Sequence, residues 1–351
     1  MKVILLGAKG DFTIENKGLG IQAYMYQMAN RFKRVSEIDI TLSESNPLPV
    51  FGNSLSFFIS NSFKDFSKFD IVHSLDVKPF MPIIKSGAVW IATVHDFWPI
   101  LYPNSYIGDE TIKNYAYNAI LRWGLRLQLK ADFLIAISTT TRDIAIKKFG
   151  YPKKNIKVIN LGLSEKFLHV NNGKIYKSEK KFIIGYIGAF RPNKNVNFTL
   201  ESFKLLRYTK DIKFKIYGDK NFEYEKLKKK AAGYKNIYFK GFLPESQKVA
   251  TYKSFDCFVF PSLYEGFGLP ILEAQACGLP VIIYKKGKIP KEVRKYCFEA
   301  ESPEHMAQII ENLKENGYNE KLQRKATEYV RSFTWDKCAR ETFKIYNRFK
   351  K

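Results

Sequence analysis

Short apolar runs alternate with stretches of helical period twice along this chain, and that rhythm restricts the fold more than any other feature. KVILLG (Lys2–Gly7), DIVHS (Asp70–Ser74), AVWIATV (Ala88–Val94) and FLIAIS (Phe133–Ser138) make the first set. FIIGYIG (Phe182–Gly188), KFKIYG (Lys213–Gly218), NIYFKG (Asn236–Gly241), CFVFPS (Cys257–Ser262) and LPVIIY (Leu279–Tyr284) make the second. Strands that take turns with helices build parallel β/α layers, covered on both faces. Between the sets lies a polar stretch, VNNGKIYKSEKK (Val170–Lys181), which reads as an interdomain linker. The chain therefore reads as α/β, with two Rossmann-like parallel-sheet domains facing a central cleft. The expected boundaries are 1–170 and 182–336, with 171–181 as linker and 337–351 as an amphipathic terminal helix. A length of 351 residues leaves each domain enough chain for a sizeable core.

One segment carries chemistry. PSLYEGFGLPILEAQACGLPVI (Pro261–Ile282) sets Glu265 just before a helix that Pro270 can open, and Glu273 one turn inside it. Gly266 and Gly268 let backbone N–H groups approach a ligand closely. A glycine-rich approach to a helix N-terminus is an anion site with roughly half a positive charge from the aligned peptide dipoles. Carboxylates accept from hydroxyl groups and repel phosphates, so a ligand flanked by Glu265 and Glu273 carries both kinds of group: a sugar nucleotide. Acidic first turns also occur for the dipole alone, and Gly-Phe-Gly also serves as a plain strand-to-helix turn.

Net charge is the second constraint. With 58 basic and 34 acidic residues the chain stands at +24, of which +8 falls in residues 1–175 and +16 beyond. Such spread charge draws polyanions. No nucleic-acid module accompanies it, so nucleic acid is not an expected partner and an anionic membrane surface is. A lysine-rich composition without any partner explains the charge equally well. The helical segment Tyr115–Lys130 holds Arg122, Arg126 and Lys130 at every fourth position, with Trp123 and apolar residues on its other sides. Packing within the first domain is preferred for it over a membrane-interface role. Cys257, Cys277, Cys297 and Cys338 show no metal or disulfide spacing and read as buried thiols of a reducing compartment. The apolar start is too short for a signal-peptide core, and no run reaches a membrane span. The expected location is cytoplasmic, with a peripheral place on the inner face of the membrane.

PSLYEGFGLPILEAQACGLPV closely resembles the signature of the retaining glycosyltransferase family 4, the group 1 glycosyl transferases of the B-type fold. The resemblance extends to KGLGIQAYMYQMANRF, FDIVHS, TVHDFWP, ADFLIAIS, NLG, IGAFRPNKN, KIYGD and FTW, and so to most of the chain. It implies a retaining, metal-independent transfer of a hexose from a nucleotide-diphosphate sugar to a glycan or lipid-linked acceptor, with no cofactor. It implies a same-face mechanism in which the leaving phosphate takes the acceptor's proton. Residue by residue, it assigns Glu265 to the sugar hydroxyls, supported by the N–H groups of Phe267, Gly268 and Leu269, and Glu273 to the ribose.

Lys194 matches the family lysine of the GAFRPNKN loop, while Ala189 stands where the family carries an arginine; Arg191 is the substitute at the diphosphate. His95 and, on the acceptor side, Asp96 follow a strand at its carboxyl end, where such sheets place ligands. His73 ends the preceding strand and is expected behind the site. Gly18 and Gly20 form a G-x-G before the helix Ile21–Phe32, whose N-terminus can face a diphosphate or acceptor. Two other readings stay open: a non-transferring nucleotide-sugar enzyme of epimerase type, and a basic membrane- or nucleic-acid-binding protein.

Overall fold

The computed structural model describes residues 1–8, 20–45, 65–77, 87–103, 112–170, 181–206, 211–220 and 222–350. It divides into two compact units, Met1–Gly162 with Thr334–Lys351, and Leu163–Phe333. The division falls before the polar stretch expected as linker, of which residues 171–180 lie outside the described residues. The reason is apolar: Leu163 and Phe167 are buried in the second unit, Phe167 against the Tyr252 ring at 5.8 Å. Leu163 also donates its N–H to Phe333 O at 2.9 Å, beside the second crossing of the chain.

In the first unit β1 (Lys2–Ala8), β2 (Asp39–Ser45), β3 (Ile71–Ser74), β4 (Val89–Val94), β5 (Phe133–Ala136) and β6 (Ile156–Val158) form a sheet ordered β2-β1-β3-β4-β5-β6. Every pairing is parallel. Both β3 and β5 are buried along their whole length: β5 is a continuous apolar run, as a strand covered on two faces should be, while β3 ends on the buried polar pair His73 and Ser74. The helix Trp335–Asn347 returns to this unit and packs on the helix Gly20–Phe32, with Phe32 and Tyr346 rings 5.3 Å apart. Gly162 permits the approach, since a Cβ there would stand 2.2 Å from the Trp335 backbone nitrogen.

In the second unit β7 (Phe182–Ile187), β8 (Ile212–Tyr217), β9 (Ile237–Gly241), β10 (Cys257–Phe260), β11 (Val281–Tyr284) and β12 (Phe298–Ala300) order as β12-β11-β10-β7-β8-β9, again all parallel. Counted from β9 inward, these are the unit's third, second, first, fourth, fifth and sixth strands, the doubly wound order. Its direction reverses between β7 and β10, and open α/β sheets hold ligands at the carboxyl ends beside such a switch point. Among the described residues no helix is long and apolar enough to cross a membrane.

Candidate active site

The loops leaving β7 and β10 are the ones the switch point selects, and they are tied together. Leu263 donates its N–H to Asn193 O at 2.8 Å, and Asn193 Nδ2 reaches Tyr264 O at 3.3 Å. Asn195 Nδ2 donates to Pro261 O at 3.3 Å. Pro192 opens the short turn Pro192–Lys194 between them. The braced turn aims Lys194 across to the other loop, where Nζ lies 2.6 Å from Glu265 Oε1 and 5.3 Å from the centre of the Phe260 ring. Glu265 is 7% exposed. An ammonium and a carboxylate so placed form a charge-assisted bond, stronger than a neutral one.

The helix Leu269–Ala276 follows with Gly268 at its N-cap, φ 104°, and Pro270 in its first turn. That φ belongs to the left-handed region, which explains the glycine. No side chain caps this N-terminus; Pro270 has no N–H to leave unpaired, and Ile271 donates its N–H to Gly268 O at 3.1 Å. Phe267 is buried against the Phe333 ring, 6.0 Å away, which anchors the approach. Glu273 is 7% exposed and bound twice: Tyr252 OH donates to Oε2 at 2.8 Å and Lys248 Nζ to Oε1 at 3.3 Å. Lys248 also bonds Glu245 at 2.9 Å, and Lys166 Nζ bonds Glu245 at 2.6 Å. Burial opposes the Lys248 charge, yet Glu273 and Glu245 together raise its pKa.

Lys194 and Glu265 are thus in contact, with Phe267, Gly268, Leu269 and Glu273 on the segment that continues from Glu265. Arg191 begins the same turn as Lys194 and is exposed. Lys248, Tyr252, Glu245 and Lys166 escaped the sequence reading. The spacing of Lys248 and Tyr252, four apart on the helix Lys248–Lys253, was the one available signal, because it puts both on one face.

In the first unit His95 follows β4 and is buried. Its Nε2 bonds Leu75 O at 2.9 Å, so that nitrogen carries the proton, and its ring meets Tyr24 edge-on at 5.1 Å. Asp96 turns back on the chain, its Oδ1 accepting from Trp98 N at 2.9 Å. Gly20 opens the helix Gly20–Phe32, while Gly18 lies outside the described residues. Beneath His95 runs a buried polar chain. Tyr24 OH meets Thr93 Oγ1 at 2.9 Å, Thr93 Oγ1 meets His73 Nε2 at 2.9 Å, and His73 Nδ1 meets Tyr346 OH at 2.6 Å.

Burial first, and the neighbouring His95 second, push the His73 pKa down to about 3. The ring is neutral when folded and takes up a proton below about 6.5 when unfolded. Stability from this ring is therefore complete above that pH and falls as pH drops toward the folded value. Urea midpoints should show a loss of about 2 kcal/mol on going from pH 7 to pH 5. A His73→Gln variant should lack that component, and an unchanged pH slope would contradict the assignment.

A parallel sheet with a braced cation–carboxylate pair and a helix N-terminus at its switch point defines a class: α/β proteins whose geometry can accept a ligand bearing both phosphate and hydroxyl groups. The comparisons with known proteins name it. Glycosyltransferase Family 4 matches residues 20–166 and Glycosyl transferases group 1 matches residues 171–333. The chain belongs to this family of glycosyltransferases. O-antigen chain mannosyltransferase B of Escherichia coli is 25% identical over 230 residues, 62% of this chain and 60% of that protein. A serotype-specific mannosyltransferase of E. coli, WbdA, is 24% identical over 71% of this chain, which spans only 32% of it. Among solved structures, a glycosyltransferase from Rickettsia africae matches with TM-score 0.72 and 17% identity, covering 99% of this chain and 98% of that one. Anabaena HepE in complex with UDP-glucose gives TM-score 0.70 at 17% identity, covering 99% and 100%. These structures establish the B-type fold.

Proposed function

We propose that this protein transfers a hexose from a nucleoside-diphosphate sugar to a glycan or lipid-linked acceptor, at the inner face of a membrane. The contact between Lys194 and Glu265 at the switch point carries the reading. Glycosyl transfer leaves a nucleoside diphosphate on which negative charge grows, so it needs fixed cations near the bond that breaks. Lys194 supplies one, Arg191 a second and the helix N-terminus at Gly268 a third. Glu265 holds sugar hydroxyls, and Glu273 holds the ribose diol. His95, with Nε2 fixed on Leu75 O, presents Nδ1 to orient the transferring sugar, and Asp96 borders the acceptor. With charge met by the chain itself, the transfer runs without a metal. Configuration is retained by a same-face route in which the leaving phosphate takes the acceptor's proton. Mannose is the first sugar to test, since two of the relatives above are named as mannosyltransferases.

The test is a thermal-shift titration against GDP-mannose, UDP-glucose and their nucleoside diphosphates, with and without EDTA. A ligand at 100 times its dissociation constant stabilises by about 2.7 kcal/mol. A shift with one nucleoside diphosphate, unmoved by EDTA and lost in Glu273→Ala, supports the reading and fixes the base. The anomeric configuration of the product, read by NMR, then tests retention. No shift with any nucleotide would sink the donor site; binding and epimerisation without transfer would favour the non-transferring alternative.

A further inference from the structure

The helix Ile112–Gln128 packs as expected, through buried Asn118, Leu121, Gly124, Leu125 and Gln128. Its other side is unusual. Tyr115 is 51% exposed and Trp123 46%, two of only five large hydrophobic side chains exposed among the described residues. Arg126 and Lys130 are exposed, and Arg122 is half-buried beside them. At the 100° step of a helix, Arg122 and Arg126 fall along one edge of this outer face, and exposed Lys130 follows in the turn just past its end. Exposed Trp123 and the half-buried Ile120 and Leu127 fall along the other. From Ile112 to Lys130 the chain has no Asp or Glu, although 34 occur overall.

We propose that this outer face lays the protein on an anionic lipid bilayer. A helix lying in a bilayer interface sinks an apolar edge among the acyl chains and keeps its cations at the lipid phosphates. Trp and Tyr suit the boundary, with an apolar body and a polar tip, and Arg and Lys extend their heads to the phosphates. The absence of carboxylates removes repulsion from an anionic surface, and the +24 charge of the chain adds long-range attraction. Single-stranded nucleic acid would use the cations and the Trp123 ring but gain nothing from Ile120 and Leu127, so the bilayer accounts for more of the face. The inference rests on the preceding reading for its purpose only. Its test uses neither donor nor acceptor, so the two can fail separately.

Trp90, Trp98 and Trp335 are buried, which leaves Trp123 as the tryptophan that meets solvent. The full chain is mixed with phosphatidylcholine vesicles, with and without about 30% phosphatidylglycerol, and followed by co-sedimentation and tryptophan emission. Binding to the anionic vesicles with a blue shift is expected. The Arg122→Glu/Arg126→Glu variant should need at least about tenfold more lipid for half-binding, since each cation near the surface counts. Trp123→Phe should keep most of the binding while losing the blue shift. Equal binding to both vesicle types, binding without a blue shift, or full binding by the double variant would each overturn the proposal. So would affinity for single-stranded RNA with none for vesicles.

Discussion

Lys194→Met is expected to lower kcat by about 10²- to 10³-fold, the loss seen when one preorganised charge-stabilising group is removed from a reacting centre. Donor KM should change far less, because the amides at Gly268 and the carboxylate of Glu273 stay in place. The variant also strips Glu265 of its ammonium partner in a site where that carboxylate is 7% exposed. A stability loss of about 2–3 kcal/mol should accompany the kinetic one, somewhat below the value for a fully buried pair. The two effects separate in the double variant. Lys194→Met/Glu265→Gln removes both charges and should recover most of the stability while remaining inactive. Stopped assays of sugar release, beside thermal melts, measure both quantities. A kcat within threefold of the native value would remove Lys194 from the chemistry.

Glu273→Gln should raise donor KM by about 100-fold with kcat changed only a few-fold. A carboxylate accepting from two ribose hydroxyls makes charge-assisted bonds, each about 1.5–3 kcal/mol, and the amide keeps only part of that. The fold should tolerate the change, because Lys248 retains Glu245 at 2.9 Å and Tyr252 OH can still bond the amide oxygen. Lys248→Met should act in the same direction and more weakly, by about tenfold in KM, since Lys248 holds one Glu273 oxygen in place. A fall in kcat with KM unmoved would place Glu273 at the transferring sugar and away from the ribose.

Nine of the twelve strands and the helix after Gly268 were legible in the sequence because they rest on local rules; the edge strands β2, β6 and β12 gave no such apolar run and were missed. Apolar runs such as Ile183–Ile187 bury whatever surrounds them, and a Gly-Phe-Gly-Leu-Pro sequence permits few backbone paths. The domain boundary was not legible. It depends on whether Leu163 and Phe167 find partners in the second unit, and that is a matter of packing. Nor could the sequence pair His73 with Tyr346, which stand 273 residues apart. Lys248 hid for a similar reason. One more lysine among many looks like solvated charge until Glu273 and Glu245 are seen on either side of its ammonium group. Lys194 and Glu265 were named as site residues from their motifs, but their contact, 71 positions apart, came only from the bracing of the two loops.

The returning helix Trp335–Asn347 has a consequence for how the protein is made. The first unit is interrupted by the whole of Leu163–Phe333 and closes with Thr334–Lys351. During synthesis the earlier-encoded unit must therefore wait, with His73 and Phe32 lacking Tyr346, while the later-encoded one is already complete on a continuous stretch. The usual order, in which the leading domain folds first, is inverted here. The apolar strands β1 and β3 to β5 emerge early and stay without their final cover, so a nascent chain stalled before Thr334 is the form in greatest need of a chaperone.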